Sequence, residues 1–276
     1  MPGRSASMGT ERGQAVLAAL RRYQGVIAQF LPRAALAQPE AVHGARVAAR
    51  RVRSLLKTYA DLFEPGPVQA YRLQLRRLAR LLASSREADV LVSLILAVAA
   101  DPPLPQRAQQ RLRAALCAVQ SGARATLQSR VASPAWGKLV HALNRAAGPA
   151  GLVLRQGVRD WQVQALAARS LNKCRKCLAR SPQSPKALHA LRLRIKRCRY
   201  ALEALSSTRE RGTAGKVMRY LLVLQSRLGE HRDIVLALEW VSQRGPDIGQ
   251  ATVRVLTERL GVREAQARLA LGLVPA

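Results

Sequence analysis

The chain has 276 residues, enough for one large domain or two modest ones with real cores. Lys and Arg total 46 against 16 acids, a formal net charge of +30, while 49% of the residues are hydrophobic, which excludes a disordered polycation. Self-repulsion at such a charge is a cost that a folded chain carries because it meets a polyanion, and the candidates are nucleic acid, an anionic membrane face or inorganic polyphosphate.

Residues 1–10, from Met1 to Thr10, lack the apolar stretch of a secretory peptide and read as a disordered N-terminus. Beyond them Ala, Leu and Arg dominate, all good helix formers, and period-two alternation of β-branched residues is hard to find. The expected fold is all-α, built as helical bundles. Prolines fall at Pro32 and Pro39, Pro65 and Pro67, Pro102 to Pro105, Pro134, Pro149, Pro182 and Pro185, and Pro246. Proline breaks helices, so these positions predict inter-helix turns between segments of about 12 to 25 residues.

The first segment carries Arg21 and Arg22. The second, from about Glu40 to Phe63, separates its residues by side. At 100° per residue His43, Arg46, Arg50, Arg53 and Lys57 fall within an arc of about 80°. Val52, Leu55, Leu56 and Tyr59 lie opposite, and Arg51 sits on the flank. The next segment spaces Arg72, Arg76 and Arg80 at i, i+4 and i+8. Glu87 and Asp233 each follow an Arg at a predicted helix start, where the acid reads as a cap and a charge on the positive helix end, and also as a holder for a basic side chain. Val90 to Ala100, the longest nearly apolar run, is about half a membrane span, so a cytoplasmic protein without a membrane partner is expected.

Cys174-Arg175-Lys176-Cys177 is a lone CxxC in a basic helical pattern. A zinc site would need further ligands, with Cys198 and His189 conceivable, but the two cations between the cysteines would compete with the metal. Free thiols, no metal and no cofactor are expected. His141 and His231 have no basic row around them and read as incidental.

The second half repeats the first at an offset of 146 residues. Val42 to Arg53 aligns with Leu188 to Arg199, Pro39 meets Pro185, Leu78 meets Leu224, Leu82 meets Leu228, and Arg86-Glu87 meets Arg232-Asp233. Two homologous halves, 11–147 and 157–272, follow. The second copy puts His189, Arg192, Lys196 and Arg199 on the cationic side and Leu191, Ile195, Cys198 and Leu202 on the apolar one, with Arg197 on the flank. Arg194 falls among the apolar positions without an account.

A solvated helix face normally mixes signs, because opposite charges at i,i+4 stabilise and like charges repel. These rows hold no acid until Glu203 at the far end of the second copy. An unpaired cationic stripe costs stability, and it occurs twice; a ligand accounts for both. Of the 46 cations 39 are Arg, whose planar fork of donors suits phosphate, although a GC-rich genome would also favour Arg codons. Each histidine heads its row, either as a core side chain or as a phosphate donor that strengthens as pH falls. Secondary binding candidates are Arg22, Arg72, Arg76, Arg80, Lys173, Lys216 and Arg219.

The pattern His-x-x-Arg-(x)3-Arg-Arg-x-Arg from His43 to Arg53 resembles the CHAD family, the conserved histidine α-helical domain. So does Leu-His-x-Leu-Arg-x-Arg-x-Lys-Arg-x-Arg-Tyr-x-x-Glu from Leu188 to Glu203. Leu228-Gly229-Glu230-His231-Arg232-Asp233 and Arg86 to Val90 are similar to its helix-junction motifs, with Ser84 and Ser85 departing from the Leu-Gly step. The resemblance implies two four-helix bundles related by a pseudo-two-fold axis, with a basic groove that binds inorganic polyphosphate, and association with polyphosphate granules and their proteins. It implies as ligands His43, Arg46, Arg50, Arg51, Arg53 and Lys57 with His189, Arg192, Lys196, Arg197 and Arg199.

Nucleic-acid binding is the alternative. Single-strand binders stack bases on aromatic side chains, and this chain has 4% aromatics with only Tyr200 at the edge of a row, so nucleic acid is expected to bind weakly or non-specifically. Catalysis is not expected: no GxxxxGK[ST] loop is present and the acids do not cluster with the histidines, although a phosphohistidine on His43 or His189 is chemically conceivable.

Overall fold

The computed structural model describes residues 10–148, 151–180, 184–205 and 213–272; residues 1–9 of the predicted tail, Pro149 and Pro182 lie outside them. The first half contributes α1 (Glu11–Ala35), α2 (Pro39–Thr58), α3 (Pro65–Leu81), α4 (Ala83–Ala99), α5 (Gln106–Val131) and α6 (Pro134–Ala147). The second contributes α7 (Asp160–Leu178), α8 (Pro185–Glu203), α9 (Thr213–Ser242), α10 (Gly245–Ile248) and α11 (Gln250–Ala270). Among the described residues there is no strand, only an isolated bridge between Phe63 and Leu154.

Several prolines act as helix openers. Pro39, Pro65, Pro134 and Pro185 occupy the first turns of α2, α3, α6 and α8, where a missing N–H has no helical acceptor to disappoint. Pro32 differs from expectation: it lies inside α1, which runs on to Ala35. A proline that near the C-terminus removes one hydrogen bond, and the three remaining residues tolerate it. Side-chain caps help to fix the starts of α1 and α8, Thr10 accepting from the Gly13 amide at 3.2 Å and Ser184 from that of Ala187 at 3.3 Å.

The predicted helix from Glu40 to Phe63 ends at Thr58 and continues as a 3₁₀ turn over Ala60–Leu62. Its apolar side is fully sequestered: Val52, Leu55, Leu56 and Tyr59 have no exposed surface. Burying each is worth about 1.5–3 kcal/mol, which outweighs the repulsion along the other side. Gly44 sets how closely α1 approaches, since a Cβ there would stand 2.5 Å from the Phe30 ring.

At the offset of 146, α2 and α8 open on equivalent prolines, and α3 with α4 corresponds to the single helix α9. The chain breaks at Leu82 but passes unbroken through the equivalent Leu228, so the first-half junction is a real helix boundary and the second is not. The hydrophobic core does not divide between the halves. One cluster joins α1, α2 and α3 to α6 and the end of α8; a second packs Ile95 and Leu116 of α4–α5 against Ile234 and Leu256 of α9 and α11; a third lies among α7, α8 and α9.

Candidate functional site

The α2–α8 contact carries the two cationic rows to the same place. Because α2 buries its apolar side in the first cluster and α8 most of its own in the third, the remaining sides turn toward a shared cavity of about 620 Å³, with α4 and α9 as its other walls. His43, Arg46, Arg50 and Arg51 enter from α2, and His189, Arg192, Lys196 and Arg199 from α8. Arg86 and Glu87 of α4 face Arg232 and Asp233 of α9, which are the same pair 146 residues later. Among the described residues eight Lys and Arg side chains thus line the trough against two carboxylates, and the field inside it is positive.

Arg50 sits where the rows meet: its charge depresses the pKa of Arg46 and His43 on its own helix and of Arg192 and Lys196 across the gap. Lys196 is buried, 5% exposed, and that burial, with Arg50 and Arg192 behind it, takes its pKa down to about 7. Both histidines are held below their ordinary pKa, first by burial and then by neighbouring cations: Arg86, Arg50 and Arg46 for His43, and Arg232, Arg192 and Lys196 for His189. An anion in the trough would reverse these electrostatic causes.

Several arginines are held in place by the fold. Arg46 donates to the Ala79 carbonyl at 3.2 Å and lies 3.9 Å from Glu87. Arg192 lies along α9 over Gly229, where a Cβ would sit 3.6 Å from its Nη2. The inner Nε of both Arg46 and Arg192 is buried without a partner, a desolvation cost repeated in the two copies. Arg51 donates to Glu203 at 2.9 Å and to the Tyr23 hydroxyl at 2.6 Å, while Arg199 donates to Glu203 and, at 3.0 Å, to Gln225. Both guanidiniums stack on Tyr200, which is itself buried, so the one aromatic ring among the described residues of the trough offers no platform to a base.

Not every residue singled out in the sequence reaches the trough. Arg53, Lys57 and Arg197 turn away from it toward α3, where Arg72 and Arg76 lie close to Arg53. Arg22 is exposed and stacks on Tyr23, and Arg80, Lys173, Lys216 and Arg219 are exposed on α3, α7 and α9. Glu87 and Asp233 are not helix-start caps. The first lies a turn inside α4 and the second in the middle of α9, and both face arginines, which is the other role expected of them. Arg86 and Arg232 are trough residues that the reading by helical rows passed over; their signal was the repeated Arg-acid pair.

His231, read as incidental, is buried and bonds Glu264 at 3.0 Å, tying α9 to α11. Cys174 packs on Cys198 between α7 and α8, far in role from His189, which faces the trough. Among the described residues no three His, Cys, Asp or Glu side chains converge as a metal site, and no helix is long and apolar enough to cross a membrane.

The family description "CHAD domain" matches residues 15–242 of the chain. No curated protein matches it in sequence. Among solved structures, PptA from Streptomyces chartreusis superposes with a TM-score of 0.77 at 21% identity, covering 94% of this chain and 97% of that one. The crystal structure of the CHAD domain from the plant Ricinus communis gives 0.73 at 22% identity, over 100% and 98% of the two chains.

Proposed function

The chain belongs to the CHAD domain family, and from that premise we propose that its trough binds inorganic polyphosphate without transforming it. The observation that carries this reading is the convergence of two cationic rows, each headed by a histidine, on one cavity walled by eight Lys and Arg side chains. A polyphosphate strand presents about one negative charge per unit and no bases, so recognition reduces to the density and shape of donors. Guanidinium forks supply bidentate contacts from Arg46, Arg50 and Arg192, and Arg86 and Arg232 close over the strand from the opposite wall. Arg51 and Arg199, oriented by Glu203, present the rest of their donors at one end. The two carboxylates of the trough face arginines on different helices, an arrangement suited to holding side chains and not to gathering a metal for phosphoryl transfer.

Through that binding the protein acts in the cytoplasm and associates with polyphosphate granules. A competition titration tests the binding itself. Long-chain polyphosphate is expected to displace labelled single-stranded DNA at low occupancy, while DNA displaces polyphosphate poorly. The reverse order would make nucleic acid the ligand. Incubation with polyphosphate and magnesium is expected to release no phosphate above background; steady release would make the protein an enzyme.

A further inference from the structure

The α2–α8 contact ends differently on its two sides. At the offset of 146, Arg51, Arg53 and Lys57 of α2 correspond to Arg197, Arg199 and Glu203 of α8. On one side Glu203 accepts from Arg51 and Arg199, with Tyr23 and Tyr200 completing the enclosure. On the other side Lys57 stands where the carboxylate would be, and Arg53 and Arg197 have a cation beside them instead of a partner.

Three further cations join that second side. Arg72 and Arg194 act on Lys57, and Arg76 with Arg72 acts on Arg53. Their equivalents in the other copy are Met218, Leu222 and Ala48, so charge has been added on one side only. Among the described residues none of these six enters an ion pair, although Arg53 and Arg197 are half-buried. Six neighbouring like charges, two of them partly desolvated, raise the free energy of the folded chain in the absence of an anion.

We infer that this ledge at the α2–α3–α8 junction is a second phosphate subsite, which takes the run of a long polyphosphate chain that leaves the trough past Arg50. The inference rests on the reading of the trough as a polyphosphate site. Arg50 lines the trough and Arg53 follows one turn later on α2, so the two surfaces are continuous. At 1.5 Å per residue His43 to Arg50 spans about 10 Å and His43 to Lys57 about 21 Å, so the ledge doubles the basic track. Three phosphates are held by the trough alone; a long chain uses both surfaces and exits on this side, because Glu203 neutralises the other. Affinity therefore depends on chain length.

Titration of tripolyphosphate and of long-chain polyphosphate into the wild type and into Lys57→Glu, at about 0.15 M salt to screen distant charge, tests this. Lys57→Glu rebuilds the Glu203 arrangement on the open side, so the variant is expected to fold with an equal or higher melting temperature. Its long-chain affinity is expected to fall about tenfold or more, and its tripolyphosphate affinity by no more than about twofold. The double variant Arg72→Gln/Arg194→Gln, which builds no new ion pair, is expected to discriminate in the same sense. Equal losses for the two probes, or an undiminished long-chain affinity, would overturn the ledge while leaving the trough in place. A wild type that binds neither probe would overturn the trough reading, and the ledge with it.

Discussion

Replacing Lys196 with methionine removes a buried charge from the floor of the trough and keeps the volume and helix propensity of the side chain. Burial first, then Arg50 of α2 and Arg192 and Arg199 of α8, depress the lysine's pKa to about 7, with Asp233 of α9 opposing. Phosphate at the ammonium favours its charged form and returns the pKa toward the ordinary value of about 10.5. Below pH 7 the free protein already holds the proton, so binding gains nothing from it. Above pH 7 binding must take a proton up, and affinity falls by up to about tenfold per pH unit, or about 50-fold between pH 7 and 9. The histidines, held below 6.5, act mainly at lower pH, and internal phosphates of a long chain stay ionised throughout. Lys196→Met is expected to bind about tenfold more weakly at pH 7 and with a nearly flat profile from pH 7 to 9. It is also expected to gain about 1–3 kcal/mol in folding stability, because an uncompensated buried ammonium no longer has to be desolvated. Titrations at three pH values with thermal melts of both proteins measure this. A variant that keeps the wild-type slope between pH 7 and 9 would refute the reasoning.

Three other outcomes follow from the same geometry. Eight lining cations less Glu87, Asp233 and the Glu203 behind them leave about five charges from the trough alone, so affinity for long-chain polyphosphate should drop at least about a hundredfold between 50 and 200 mM salt, measured by titration, and further with the ledge engaged. Asp233→Asn removes a carboxylate that faces Arg192, Lys196 and Arg232, and it should tighten binding about fivefold and steepen the salt slope by about 0.7. His231→Ala breaks the buried link from α9 to Glu264 and should cost about 2–3 kcal/mol in a denaturation curve, while polyphosphate affinity in the folded protein stays within about twofold.

Much of this site was legible because helical periodicity assigns faces without knowledge of neighbours. The cationic arc of α2 and its copy in α8 were set by spacing alone, and the buried Val52, Leu55 and Leu56 opposite them follow from the same arithmetic. Periodicity does not say which helix covers a face. Hence the interleaved core, in which α4 and α5 of one half pack on α9 and α11 of the other, was not to be had from two matching halves. Of the two roles read for Glu87 and Asp233 only the cap fails, because Asp233 lies inside an unbroken helix and Glu87 a turn into another, where each faces an arginine. Arg53, Lys57 and Arg197 share the arc or flank of their rows, yet a row some 20 Å long cannot point wholly into one cavity, and its far end turns onto α3. The unexplained Arg194 finds its place there.

Binding stoichiometry of the trough, measured with tripolyphosphate in the wild type, in Arg50→Ala and in Arg192→Ala, bears most directly on the convergence of the two rows. Arg50 belongs to α2 and Arg192 to α8, so one shared site predicts a single ligand per chain that either substitution weakens throughout. Two ligands per chain in the wild type, with each substitution sparing one of them at full affinity, would contradict the account.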